Sequence, residues 1–149
     1  CTCGTELVEK YLNKISGPLL DRMDLHVEVS PMRFEQMTSN QSQEGSWAIR
    51  ERVIRGRKMQ EKRFEKFPQF HANASMPSPM IKRFCSLDTS SQHLLKKAMD
   101  HLKLSARAYD RILKVARTIA DLDSASEIAS KHVAEAITYR SLDRENWAG

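Results

Sequence analysis

Arg22, Arg107 and Arg111 are the residues of this chain best placed to do chemistry. Arg22 closes the run Lys14-Ile15-Ser16-Gly17-Pro18-Leu19-Leu20-Asp21-Arg22, and the other two lie in the first turns of a helix that Ser105 is placed to cap. A guanidinium is always charged and its planar fork meets oxygens in pairs, so an arginine held at a fixed angle suits a phosphate. Arg107 follows its cap by two residues, where open N–H groups and the helix dipole already favour an anion. Solvation is the plainer alternative. Arg22 has Asp21 and Asp24 beside it, Arg107 shares a face with Arg111, Lys114 and Arg117, and isolated surface arginines usually contribute little. On spacing alone, the solvated reading is the stronger for both.

The elements around Arg22 read as a helix end, a tight turn and a strand. Thr5 is placed to cap a first helix, in which Val8, Tyr11, Leu12 and Ile15 recur on one apolar face. Gly17 can take the positive φ that closes it, and Pro18 suits the first position of a new helical turn. Leu19 and Leu20 are then placed to anchor that turn while Arg22 points outward. The alternation of Leu25, His26, Val27, Glu28 and Val29 is the period of a strand with one buried face. Ser30-Pro31 breaks that pattern, and Gln36 to Ser46 is a polar run with almost nothing to bury, read as a mobile loop.

Trp47 to Phe67 reads as a charged helix, with an apolar stripe broken at Gly56 and Gln60 and hence loosely packed. Arg50 to Lys66 holds eight basic residues against three acidic ones, a surplus equal to the net charge of +5 for all 149 residues. Such a helix can track a nucleic-acid backbone, with Trp47, Phe64 or Phe67 available to stack on bases. A solvated helix is the somewhat stronger reading. From Met76 onward the punctuation changes to four short helices, opened by Pro77 or Ser78, Asp88, Ser105 and Ser130. In the third, Tyr109, Ile112, Leu113, Ala116, Ile119 and Ala120 form one apolar face, and Arg107, Arg111, Lys114 and Arg117 the opposite side. Leu142 and Trp147 are placed to fold back onto this bundle.

The run Ile15 to Arg22 resembles the arginine-finger segment of AAA+ ATPases, in the wording of the Mg-chelatase-like proteins of the bacterial ComM type. Leu104-Ser105-Ala106-Arg107-Ala108-Tyr109-Asp110-Arg111, continuing to Leu122, is similar to that family's sensor-2 helix, and Ala136-Ile137-Thr138-Tyr139-Arg140 to its closing helix. The resemblance covers residues 1–29 and roughly 76–147. It implies a mainly α chain: a helical lid bundle at 76–149, preceded by a short helix-turn-strand remnant of the α/β ATPase core at 1–30, with a linker and basic helix at 31–75. It further implies a catalytic Arg22 acting on the γ-phosphate in a neighbouring subunit, and Arg107, then Arg111, as phosphate-binding residues. The implied assembly is a homo-oligomeric, hexameric ring acting on DNA, with ATP and Mg²⁺ in the full-length protein. An alternative from the family's name alone is the motor subunit of a metal chelatase; another, from the basic helix, is a DNA-binding module without ATPase role.

Several classes are disfavoured. The chain has no G-x-x-x-x-G-K-[ST], the loop whose backbone cradles nucleotide phosphates, so it is expected to be inactive alone and to bind no cofactor. It reads as the C-terminal part of a longer ATPase, and an initial Cys1 fits a fragment. Cys1 and Cys3 resemble half of a family cysteine cluster, too few for a tetrahedral zinc site, and Cys85 reads as a small buried hydrophobe; no metal is expected. His26, His71, His93, His101 and His132 lack ligand spacing. No apolar run is long enough to cross a bilayer and no signal peptide opens the chain, so no membrane partner and a cytoplasmic location are expected.

Overall fold

The computed structural model describes residues 4–12, 14, 16–20, 22–31 and 44–140. Cys1, Cys3, Ile15, Asp21, the loop expected at Gln36 to Ser46 up to residue 43, and Leu142 and Trp147 lie outside the described residues. The described chain is mainly helical, and its one β contact is an isolated parallel bridge between Leu87 and Ile128.

Helix α1 spans Thr5–Leu12 and starts from the Gly4 carbonyl, which accepts from the Leu7 and Val8 N–H groups at 3.0 and 3.3 Å. Thr5 is thus the first helical residue, not the cap, and Val8 and Tyr11 are exposed. Helix α2, Gly17–Leu20, opens on the Ser16 carbonyl, which accepts from Leu19 and Leu20. Gly17 therefore begins a helical turn where a closing left-handed residue was expected, and no described glycine has positive φ. Leu20 is buried, as an anchor should be, but Leu19 is exposed.

Residues 25–29 form no strand. The expected alternation does not appear in the burial: Leu25, Val27 and Val29 are 51%, 64% and 85% exposed, Glu28 is exposed as well, and of the five residues His26 alone is buried. A strand requires a second backbone edge, and the bond seen among the described residues is that from the His26 N–H to the Tyr139 carbonyl at 2.8 Å. His26 Nε2 also lies 3.3 Å from the Leu20 carbonyl, which turns the imidazole inward.

The remaining helices are α3 (Ser46–Phe64), α4 (Ser78–Phe84), α5 (Thr89–Leu102), α6 (Ala106–Leu122) and α7 (Ser130–Thr138). Asp88 caps α5 by accepting from the Ser91 N–H at 2.7 Å, and Ser105 caps α6 by accepting from the Ala108 N–H at 3.2 Å, both as the sequence predicts. Helix α7 departs from expectation. Its cap position is Ala129, and the capping group reaches back from within the helix, His132 Nδ1 accepting from the Ala129 N–H at 3.0 Å. Ser130, expected as the cap, instead exchanges hydroxyl hydrogen bonds with Ser90 and Ser91 at the start of α5.

Helix α6 is the centre of the bundle. Ile112, Leu113, Ala116 and Ala120 are buried against α7, α4, α3 and the 3₁₀ turn Asn73–Ser75, and α5 closes over α7. Phe64 of α3 meets Phe84 of α4 edge-on with centroids 6.0 Å apart, and Phe67 meets Phe84 at 6.3 Å. The helix expected to pack loosely is seated over its C-terminal half. Its buried residues, Gly56, Gln60 and Phe64, fall four apart and include the two that break the apolar stripe. Gly56 serves by being small: a Cβ there would lie 3.1 Å from Leu122 Cδ2.

Candidate functional site

Arg22 stands exposed at the end of α2, its N–H donating to the Leu19 carbonyl at 3.0 Å. Its guanidinium has no hydrogen-bonding or ionic partner among the described residues. Asp24, one of the two carboxylates that lie beside Arg22 in the sequence, forms its ion pair with Arg111 of α6. Arg140 Nη1 donates to the Met23 carbonyl, and the Tyr139 carbonyl accepts from His26. The three residues Met23, Asp24 and His26 are thus each fastened to the bundle. Asp24 and Leu25 also form one wall of a mostly apolar cavity of about 290 Å³ against Val115, Ile119 and Tyr139.

The basic residues of α6 occupy four different environments. Arg107, second residue of the helix, is exposed and has no side-chain partner among the described residues. Arg111, one turn on and on the same face, is held by Asp24. Lys114 donates to the Ala74 carbonyl at 2.8 Å. Arg117, expected on the solvated side, is 3% exposed and faces the core. It donates to the carbonyls of Ala125 and Ser126 and pairs with Asp121, which is 0% exposed. Burial pushes the Arg117 pKa down, and the Asp121 carboxylate beside it pulls the other way.

Asp121 also accepts from Arg63 of α3 at 2.6 Å and from Asn73 Nδ2 at 2.8 Å. Arg63 therefore belongs to the interior, although the sequence assigns it to the basic face. The same holds for two of the three aromatics expected to stack on bases, since Phe64 is buried and Phe67 half-buried in the core. Trp47 remains, 76% exposed, with Arg50, Arg55, Arg57, Lys58 and Lys62 exposed along α3, Lys66 exposed just past its end, and Arg52 engaged bidentately by Glu44.

Among the described residues no three His, Cys, Asp or Glu side chains converge on a point where a metal ion could sit. Cys85 is buried, and burial pushes its thiol up to about 11. His132 works structurally, its Nε2 lying 3.2 Å from Asp123 Oδ2 while Nδ1 caps α7. No described helix is long and apolar enough to cross a membrane. Arg140 and Asp24 are the participants that reading the sequence missed as site residues. Arg140 lies 117 positions from its partner Met23, beyond the end of α7, and no local spacing announces it.

Fold and site together define a class. Residues 43–140 match the family model described as magnesium chelatase, subunit ChlI C-terminal, and residues 1–37 match magnesium chelatase, subunit ChlI. The chain belongs to this magnesium chelatase ChlI family, and its helical bundle is the family's C-terminal domain. Among individual relatives, it is 43% identical over 139 residues to competence protein ComM of Haemophilus influenzae, covering 92% of this chain and 26% of that protein. It is 41% identical over 144 residues to the uncharacterized protein YifB of Escherichia coli K12, covering 95% and 27%. The uncharacterized protein Mb2921c of Mycobacterium bovis is 32% identical over 140 residues, covering 94% and 27%. The chain thus spans about a quarter of the length of the curated relatives it matches.

Proposed function

We propose that this chain is the C-terminal part of an AAA+ ATPase in which Arg22 reaches the γ-phosphate of ATP held by a neighbouring subunit, while Arg107 meets phosphate oxygens from its own subunit. One observation carries the reading: an exposed Arg22 guanidinium, without a partner among the described residues, on a loop whose next residues are fixed to the bundle through Met23, Asp24 and His26. An arginine so presented can neutralise charge that grows on a departing phosphoryl group. Arg107 stands at the open N–H groups of α6, a setting that favours an anion in the ground state as well. Arg111 is the second candidate there, and must release Asp24 to reach a phosphate.

The chain lacks the phosphate loop, and its described residues offer no carboxylate cluster for Mg²⁺, so nucleotide and metal binding fall to the rest of the full-length protein. Alone it binds ATP weakly or not at all and does not turn it over. The ring is homo-oligomeric, hexameric in the manner of AAA+ motors, and cytoplasmic. The Haemophilus relative's name, competence protein, supports DNA as what the motor acts on.

In full-length rings, Arg22→Ala should lower turnover by roughly 10³-fold or more with ATP binding nearly intact. Arg107→Ala should disturb nucleotide affinity as well. Mixing Arg22→Ala subunits with subunits that lack the phosphate-loop lysine should restore activity at interfaces joining an intact loop to an intact Arg22. Mixed rings that assemble yet stay inactive refute the action of Arg22 in trans.

A second reading, a DNA-binding helical module, is favoured by the exposed cations of α3 beside Trp47. DNA affinity of the isolated chain that falls steeply with salt would support it. Affinity that is absent even at low salt would remove it.

A further inference from the structure

We infer that Arg140 is a positioning residue for Arg22, fixing the angle at which the finger is presented by holding the carbonyl of the residue that follows it. The inference rests on the reading of Arg22 given above. Arg140 is 1% exposed, the largest of the fully buried side chains, and a guanidinium is costly to bury unless its N–H groups are used. Its Nη1 is spent on the Met23 carbonyl, in a segment that forms no regular structure.

The geometry around Arg22 concentrates the effect. On its N-terminal side, α2 fixes the backbone through the bond from the Arg22 N–H to the Leu19 carbonyl. On its C-terminal side, Arg140 takes Met23 and the adjoining Tyr139 carbonyl takes His26, so the chain just past α7 grips the loop at two points three residues apart. Asp24, between them, is tied sideways to Arg111. Arg111 lies one helical turn from Arg107, so the backbone that carries the finger and the helix that carries the second phosphate-binding arginine move as one piece. Arg22 keeps its side-chain rotamers and loses the freedom of its backbone. Placement of a catalytic group to within about 1 Å can decide about 10²-fold in rate.

The test uses the full-length ATPase and three variants. Arg140→Met keeps the length of the side chain and removes its donors; it should lower kcat about 10²-fold while leaving KM for ATP unchanged. The His26 amide should exchange with deuterium faster, and the α6 amides at residues 112–120 should keep their protection. Arg140→Lys retains one donor and should fall between Met and wild type; if Arg140→Met does not fold, it carries the test alone, with lower kcat at unchanged KM and faster His26 exchange expected.

Loss of α6 protection alongside His26 would show that Arg140 merely holds the bundle together, and overturns the inference. Faster His26 exchange with unchanged kcat, in a protein that Arg22→Ala inactivates, also overturns it. Should Arg22→Ala itself leave turnover intact, the finger reading has failed, whichever way the Arg140 variants behave.

Discussion

Replacing Asp121 by asparagine keeps the shape of the side chain and removes the charge that two guanidiniums share. Asp121 is 0% exposed, Arg117 3% and Arg63 11% by side chain, so neither arginine can turn to water without opening the contact between α3 and α6. Removing one partner of a buried ion pair costs about 3–5 kcal/mol, because the charge left behind is uncompensated. Here one substitution strands two charges, although the remaining hydrogen bonds of Arg117 to Ala125 and Ser126, and of Arg63 to Asn73, are kept. We therefore expect a loss of about 3 kcal/mol or more, a large part of the 5–15 kcal/mol that holds a domain of this size. Urea denaturation followed by circular dichroism reads it directly, and the thermal midpoint should fall by roughly 12 °C or more. The exposed pair Arg52–Glu44 is the control: Glu44→Gln should change stability by no more than about 0.5 kcal/mol. A loss below about 1 kcal/mol for Asp121→Asn, at unchanged denaturant slope, would refute the reasoning, since the desolvation of the three groups would then cancel their attraction.

Three further outcomes follow from the same architecture. Ser105→Ala removes the cap of the central helix and should cost about 1 kcal/mol by urea denaturation. Gly56→Leu should cost about 1–3 kcal/mol, because its first added carbon already meets Leu122, and α3 must lift from α6 to admit the rest. Hydrogen bonds from Ser91 hold the Asp88 carboxyl below its ordinary pKa of about 3.8, and those from Lys131 and then His132 do the same for Asp123. Since both pKa values are depressed in the folded state, the stability they add is present above that ordinary value and is lost as pH falls through the lowered ones. Thermal midpoints measured down a pH series should therefore drop on the acid side, and drop less in the double variant Asp88→Asn, Asp123→Asn.

The local parts of this fold are legible in the sequence, and the long-range parts are not. Asp88 and Ser105 are recognisable caps because the cap and the N–H it satisfies lie three residues apart in any chain. The cap of α7 is harder to see, as Ala129 has no side-chain acceptor and His132 supplies it from inside the helix. Arg117 and Asp121 illustrate the cost of assigning every charge to solvent: they continue the buried positions of Leu113 at intervals of four, a spacing visible in the sequence. Their partners Arg63 and Asn73 are 58 and 48 residues from Asp121, and nothing in the sequence joins them. The alternation at residues 25–29 presupposes a partner edge that a local pattern cannot supply, and of these five residues only His26 is covered. At the site, the exposure of Arg22 and Arg107 is what the motif reading and the solvated reading both expect, whereas the tie of Asp24 to Arg111 joins residues 87 positions apart.

The seating of α3 at Gly56, Gln60 and Phe64 makes the rest of that helix a cantilever. None of the ten residues from Ser46 to Arg55 is buried, so with a rise of 1.5 Å per residue the free arm extends about 15 Å beyond its root. A tilt of about 4° at Gly56 carries Trp47 through roughly 1 Å, and Ala48 and Ile54 are the arm's only half-buried side chains. Whatever touches the tip of α3 therefore has mechanical leverage on the Gly56–Leu122 contact, at the end of α6 opposite Arg107.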